Sequence, residues 1–523
     1  MKLRALIKIA IFSSVLLLCV AFGLYFYFKL DAVRNKEDFD LYTLVPQDAH
    51  TVFETNDMAS FIDNMSKMSS SKKGNYFHVS PLFSIILSHF QSLVGETPHG
   101  FSEQMNKMLI SFHSLDDDRD QVLYFCLGPD DDKLIESFIR KYCADRCPSK
   151  YFDYKGEEIR IYSMTDGNFL SCYFTPKFLA VSYQKKLIEE VIDAHISGRS
   201  LLNDLAFKRI YKESNVNYYA KVYVRMLHVP MGKPTDTVPL FSALGGWTEF
   251  DLKMNGDAVY LSGVSHDADS CLTFMNALRC QRPVEGLSGE MLPSSTFMFS
   301  RRSVSSSDYI RLHDDELARF LKDNVGGSIT CCLFHAPDTV ASPCAVMNIP
   351  VSDSSQAERM LRNLLVSLPL EPTTSFISQQ TLLRTKKASY TLFSMPQNSL
   401  FTGFTGITTP SLLSYACFYH NSLLVGADLR SLSAYIRLLD EKQILDGIPA
   451  YEERIATLST SYNFLLMADL EDVFAQPESY IRSIPAFFFR YQEFFSHFIL
   501  SIQFTCTDGE IYPNVVLLYK TPE

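Results

Sequence analysis

The strongest constraint on this chain is that its two halves follow one pattern, displaced by about 247 residues. Val45-Pro46 opens one half and Leu292-Pro293 the other. QVLYFCLGPDDDKLIESFIRKY from Gln121 parallels CAVMNIPVSDSSQAERMLRNLL from Cys344. CYFTPKFLAVSYQKKLIEEVIDA from Cys172 parallels CFYHNSLLVGADLRSLSAYIRLL from Cys417. NYYAKVYVRMLHV from Asn217 parallels NFLLMADLEDVF from Asn463, and WTEFDLKMNGDAVYLSGV from Trp247 parallels ILSIQFTCTDGEIYPNVVLL from Ile499. Five blocks in one order point to a duplicated unit, with a seam near QRPVEGLSGE, from Gln281 to Glu290.

Each unit reads as strands and helices in alternation. Thr175-Pro176-Lys177 separates two short apolar runs, a hairpin signal. Leu187, Ile188, Val191, Ile192 and His195 then recur at helical spacing, with Glu189 and Glu190 opposite; Leu432, Tyr435, Ile436 and Leu439 repeat the stripe. His195 on that stripe reads as a core histidine. Tyr219, Lys221, Tyr223 and Arg225 alternate with Ala220, Val222, Val224 and Met226, the period of a strand. Asn255-Gly256 and Asp508-Gly509 suit primed turns, which need positive φ. The expected class is α+β, with antiparallel sheets covered on one face by helices and the two units related by a pseudo-twofold axis.

Ahead of the units lies IAIFSSVLLLCVAFGLYFYF, Ile9 to Phe28, without a charge. Its length of about 20 residues matches a hydrocarbon core. Tyr25 and Tyr27 sit where an aromatic belt would lie, and Lys2, Arg4, Lys8 and Lys29 flank the run. The run continues past Ala21-Phe22-Gly23, a poor cleavage site, which favours an uncleaved anchor over a signal peptide. Leu18 before Cys19 does not suit a lipoprotein signal. The expected organisation is a cytoplasmic tail (1–8), a transmembrane helix (9–28), a charged stalk (29–44), and two α+β repeats (45–285 and 286–523) outside the cytoplasm.

Composition removes some classes. The 59 acidic and 48 basic residues leave a net charge of -11, which disfavours a nucleic-acid binder working through phosphates. The 12 cysteines are irregularly spaced and contain no CxxC pair, so they read as small buried hydrophobes. Cys143 and Cys147, one helical turn apart, could share a face. No GxSxG, HExxH or GxxxxGK[ST] occurs. Asp116, Asp117, Asp118 and Asp120 lack the spacing of a calcium loop and read as solvated. Asp130, Asp131 and Asp132 precede a helix, as do Ser352-Asp353-Ser354-Ser355, so both groups read as helix starts. Catalytic residues, cofactors and metal ligands are therefore not assigned.

AFFFRYQEFFSHF, Ala486 to Phe498, stands apart. Phe487, Phe488, Phe489, Tyr491, Phe494, Phe495 and Phe498 form either a core helix wedged between the halves or an apolar contact surface for lipid or a partner.

The N-terminal span, the stalk, LVPQDAHTVFE from Leu44 and FLAVSYQKKLIEEVIDAHISGRSLL from Phe178 together resemble uncharacterised single-pass envelope proteins of a domain-of-unknown-function family of Bacteroidetes type. The resemblance implies an envelope location and no catalytic residues. The expected function is that of a membrane-anchored extracytoplasmic binding or scaffolding protein, not an enzyme, whose partners are the bilayer and an unknown envelope protein or lipid. A lipid- or hydrophobe-handling factor is the alternative and a hydrolase a minor one.

Overall fold

The computed structural model describes residues 39–68, 104–143, 149–213, 219–226, 246–265, 281–304, 320–337, 342–367, 382–395 and 413–520, apart from a few positions inside these spans, together with Leu82, Ile85, Ile86, His89 and Thr409. Ile9 to Phe28, Cys19, Cys147, Cys271 and Cys280 lie outside them. Among the described residues no helix is long and apolar enough to cross a membrane.

The first strands are β1 (Thr51–Thr55), β2 (Met108–Phe112), β3 (Gln121–Cys126), β4 (Lys150–Tyr154), β5 (Glu157–Ser163), β6 (Phe169–Phe174), β7 (Phe178–Ser182), β8 (Ala220–Arg225), β9 (Trp247–Met254) and β10 (Ala258–Ser265). The rest are β11 (Val284–Glu285), β12 (Thr296–Ser303), β13 (Ser328–Phe334), β14 (Cys344–Pro350), β15 (Leu382–Arg384), β16 (Ser389–Thr391), β17 (Phe393–Ser394), β18 (Tyr415–Tyr419), β19 (Ser422–Gly426), β20 (Ser461–Tyr462), β21 (Phe464–Asp469), β22 (Phe498–Thr507) and β23 (Glu510–Tyr519). The helices are α1 (Met58–Lys67), α2 (Asp131–Tyr142), α3 (Lys185–Ser197), α4 (Leu205–Glu213), α5 (Ser354–Ser367), α6 (Leu429–Asp440), α7 (Pro449–Ala456), α8 (Leu470–Ala475), α9 (Pro477–Tyr480), α10 (Ala486–Arg490) and α11 (Gln492–Phe495). The class is mixed α+β.

Nineteen of these strands form one antiparallel sheet. Its spatial order is β4-β5-β6-β7-β3-β2-β1-β8-β9-β10-β23-β22-β21-β12-β13-β14-β19-β18-β17. Read outward from the central β10–β23 pair, both sides run through a hairpin, then β8 or β21, β1 or β12, β2 or β13, β3 or β14, and β7 or β19. At the centre Leu261 lies opposite Val515 and Ser262 opposite Asn514.

The hairpins are local products of their turns. Between β6 and β7 the Thr175 amide donates to the Phe178 carbonyl, and Thr175 Oγ1 accepts from the Phe178 amide. Asp508 adopts φ 53°, as a primed turn requires. The first-half turn differs from expectation: neither Asn255 nor Gly256 is among the residues with positive φ. Asn255 instead stands at the first turn position, where its Oδ1 accepts from the Asp257 and Ala258 amides.

Helices cover both faces of the sheet, not one as expected. On one face of the first half, Leu187, Ile188, Val191 and Ile192 of α3 and Phe207 and Ile210 of α4 pack over Tyr124, Tyr173 and Tyr223. On the other, Met58, Phe61 and Ile62 of α1 cover Phe53, Leu123 and Phe125. In the second half α6 and α7 lie on one face and α5 and α8 on the other. The strand sequences state the cause: FLAVS and SLLVG are buried at every position, so neither face can meet water. Residues 39–44, assigned to the stalk by sequence, lie against the body, with Leu41, Tyr42 and Leu44 buried. The seam residues also dock: β11 pairs with β20, and the Gly286 amide donates to the Thr460 carbonyl. Ser66 and Lys67 belong to α1, and Ser303 is a buried end of β12.

Gly263 marks a close approach within β10. A Cβ there would lie 2.1 Å from the Glu249 carbonyl oxygen and 2.8 Å from Phe250 Cδ1. Backbone in a paired strand cannot yield as a side chain can. Gly263→Ala is therefore expected to cost about 3 kcal/mol, read as a lower denaturation midpoint of the full-length protein. An unchanged midpoint contradicts this packing.

Candidate functional site

A cleft of about 690 Å³ opens in the first half, on the face covered by α1. That volume is typical of small-molecule sites. Its floor is sheet: Phe125 of β3, Arg160 and Tyr162 of β5, Leu170, Cys172 and Phe174 of β6, and Leu179 and Val181 of β7. Alternation explains the set. Arg160 lies opposite Cys172 and Tyr162 opposite Leu170, so these side chains point to one face.

The facing wall is α2. Leu134, Ile135, Phe138 and Ile139 recur at helical spacing and look into the cleft, yet all four are only half-buried. Asp131 begins the helix, buried, with its Oδ2 accepting from the Gly128 amide at 2.7 Å. Arg140 and Lys141 close it, where a cation suits the dipole. Asp353 plays the capping role before α5, accepting from the Ser355 and Gln356 amides.

Ile86, His89 and Met105 complete the inner wall. His89 stands edge-on to Phe138 at 5.4 Å and to Tyr142 at 5.5 Å. Burial, with the nearby Lys141 ammonium, lowers its pKa, so the ring is neutral at neutral pH. Charge gathers at the rim, in Glu136, Arg140 and Arg160. Arg160 donates to Glu158 at 2.7 Å and lies over the Tyr151 ring at 5.7 Å. Tyr151 and Phe174 are exposed large hydrophobics here, at 59% and 37%. The cleft is thus apolar inside, with charged groups of both signs and aromatic groups at its mouth.

The aromatic segment singled out by sequence is elsewhere. It forms two short helices, α10 and α11, not one, and Phe498 opens β22. Phe488, Phe495 and Phe498 are buried, while Phe487, Phe489, Tyr491 and Phe494 are half-buried against the same central core. Phe488 and Phe495 meet at 4.8 Å, and Phe494 and Phe498 at 5.0 Å. All seven pack on the central core, and none lines the cleft.

Other sequence expectations fall in different places. His195 is exposed, not a core residue. It lies in the last turn of α3, where the buried stripe has ended, and stands edge-on to Phe178 at 5.3 Å. The eight described cysteines are buried; of these, Cys143 and Cys172 line the cleft. Lys221, read as part of an alternating polar face, is fully buried and ion-paired with Glu249 on β9, with Asp251 at 3.8 Å. The cleft has no local signature, because its lining comes from β3, β5, β6, β7, α2 and the stretches around His89 and Met105. Its one sequence signal is α2, whose apolar stripe demands a partner surface.

No family model, no curated protein and no solved structure matches the chain.

Burial, reinforced by neighbouring Cys143, raises the Cys172 thiol well above its ordinary pKa. A free thiol ionises near about 8.5, so its alkylation accelerates between about pH 7 and about pH 9. Cys172 is expected to react with iodoacetamide at least tenfold more slowly than in denaturant and to show no such acceleration. Peptide mass mapping reads both; rapid native alkylation contradicts the placement.

Proposed function

We propose that this chain is a membrane-anchored extracytoplasmic binding protein built from two copies of one α+β unit. We further propose that its first unit takes an amphipathic ligand with an apolar, acyl-like portion and an anionic head. The anchor reading rests on Ile9 to Phe28 with its flanking charges and tyrosines. The duplication reading is supported by the matching order of strand pairings on the two sides of β10–β23. A pseudo-twofold axis then runs between Leu261/Val515 and Ser262/Asn514.

The observation that carries the ligand class is the cleft. Its interior offers Leu134, Ile135, Phe138, Leu170, Leu179 and Val181, which favour hydrocarbon over water. Arg140 and Arg160 at the rim favour a carboxylate or phosphate head. Neutral His89 inside places no charge against the apolar part. These features support the hydrophobe-handling reading over a purely scaffolding role.

The full-length protein in detergent is expected to bind cis-parinaric acid with a rise in fluorescence. Ile139→Trp, at a half-buried wall position, fills the cleft and should weaken binding at least tenfold while leaving the melting temperature nearly unchanged. Arg140→Gln with Arg160→Gln should weaken the acid more than its methyl ester. Equal binding by wild type and the Trp variant contradicts the proposal.

A further inference from the structure

On the opposite face of the first half a second group of side chains converges. Asp48 lies in the segment leading to β1, His113 directly follows β2, and Glu190 is on α3. One ligand atom from each lies within 4.8 Å of the others. His113 Nδ1 is 3.1 Å from Asp48 Oδ1. We infer that these three residues form a binding site for one zinc-like divalent cation.

The donor set fits that chemistry. One imidazole nitrogen and two carboxylate oxygens suit a borderline cation such as zinc. Tetrahedral bonds of about 2.0–2.1 Å place ligand atoms about 3.3 Å apart, close to the His113–Asp48 separation. Glu190 has only a side-chain rotation to make. Its present partner, Lys186 at 3.4 Å, is an exposed helical neighbour, and such pairs hold weakly. Three protein ligands leave a further coordination position, and it faces water because Asp48 is exposed.

The surroundings of His113 make the stronger argument. Its side chain is 4% exposed, and its Nε2 is 2.9 Å from Ser111 Oγ. Ser111 Oγ is in turn 3.1 Å from the Tyr124 hydroxyl. A metal-bound histidine needs its other nitrogen protonated and held by an acceptor. Ser111 can accept there and donate its own O–H to the Tyr124 hydroxyl, because both hydroxyls are donors and acceptors. Without the cation the same chain runs in reverse, with Nδ1–H donating to Asp48. The line Ser111–His113–Asp48 also has the contacts of a nucleophilic triad, but Ser111 is fully buried in a strand paired on both sides. No carbonyl carbon can reach its Oγ, so the serine orients the imidazole instead.

The second half shows that the fold does not require these ligands. There Phe334-His335 ends β13 as Phe112-His113 ends β2. Leu333 stands in place of Ser111, Ser295 in place of Asp48, and buried Ala434 in place of Glu190. His335 meets Asp472 instead, at 3.1 Å. The same framework persists without the acidic pair, so Asp48 and Glu190 are particular to the first half.

The test is titration of the EDTA-treated full-length protein in detergent with Co²⁺ and then Zn²⁺. We expect one Co²⁺ per chain, visible d–d absorption without thiolate charge-transfer bands, and displacement by Zn²⁺. Asp48→Asn and Glu190→Gln should each weaken binding at least tenfold, and Ser111→Ala about 10- to 100-fold. Asp48 and Glu190 are not core residues, so their variants remain informative where His113→Ala fails to fold. Absence of stoichiometric Co²⁺, thiolate bands, or binding that survives both Asp48→Asn and Glu190→Gln overturns the inference.

Discussion

The pairing of β10 with β23 is the contact on which the rest of the architecture depends. Without it each half would end in a long exposed edge strand, a template for association with other chains. Joined, the two edges satisfy each other's amides and carbonyls from Ala258–Leu518 to Ser265–Ile511. The central core follows from the same contact. Met226 and Phe250 of the first half share one buried cluster with Phe498, Phe504 and Tyr519 of the second. The aromatic segment 486–498 adds rings to that cluster.

A sheet covered on both faces sets further demands. Polar side chains on its strands must find partners inside, as Lys221 does with Glu249. The same burial makes function local. Where α2 stands off the sheet with its apolar stripe half-buried, a cleft remains. Where α3 closes down on the opposite face, the end of β2 carries His113 to the margin of the packed layer, beside Asp48 and Glu190. Two chemically distinct features therefore occupy the two faces of one half.

The sequence made some of this legible and hid the rest for physical reasons. The turn at Thr175–Lys177, the α3 stripe and the helix starts at Asp131 and Asp353 are local, and they read directly. The mixed α+β class followed from them. The covering of both faces was visible only as the lack of alternation in FLAVS and SLLVG, while the alternation of Tyr219–Met226 pointed the other way. Lys221 is buried because Glu249, 28 residues on, neutralises it, and no local pattern carries that. His195 sat on the periodic stripe but past the point where the stripe meets the sheet. Asn255-Gly256 and Asp508-Gly509 look equivalent, yet an Asx turn captured the first. The cleft and the Asp48–His113–Glu190 group depend on pairings between distant strands, so neither leaves a spacing to read.

The most direct measurement of the central joint is residue-resolved amide hydrogen exchange of the full-length protein. If β10–β23 is a true interior pair, amides of Ala258–Ser265 and of Glu510–Tyr519 will exchange as slowly as those of β22 and open in one cooperative step. If β10 exchanges at the rate of a free edge while β22 and β23 stay protected, the two sheets are not joined there and the account fails.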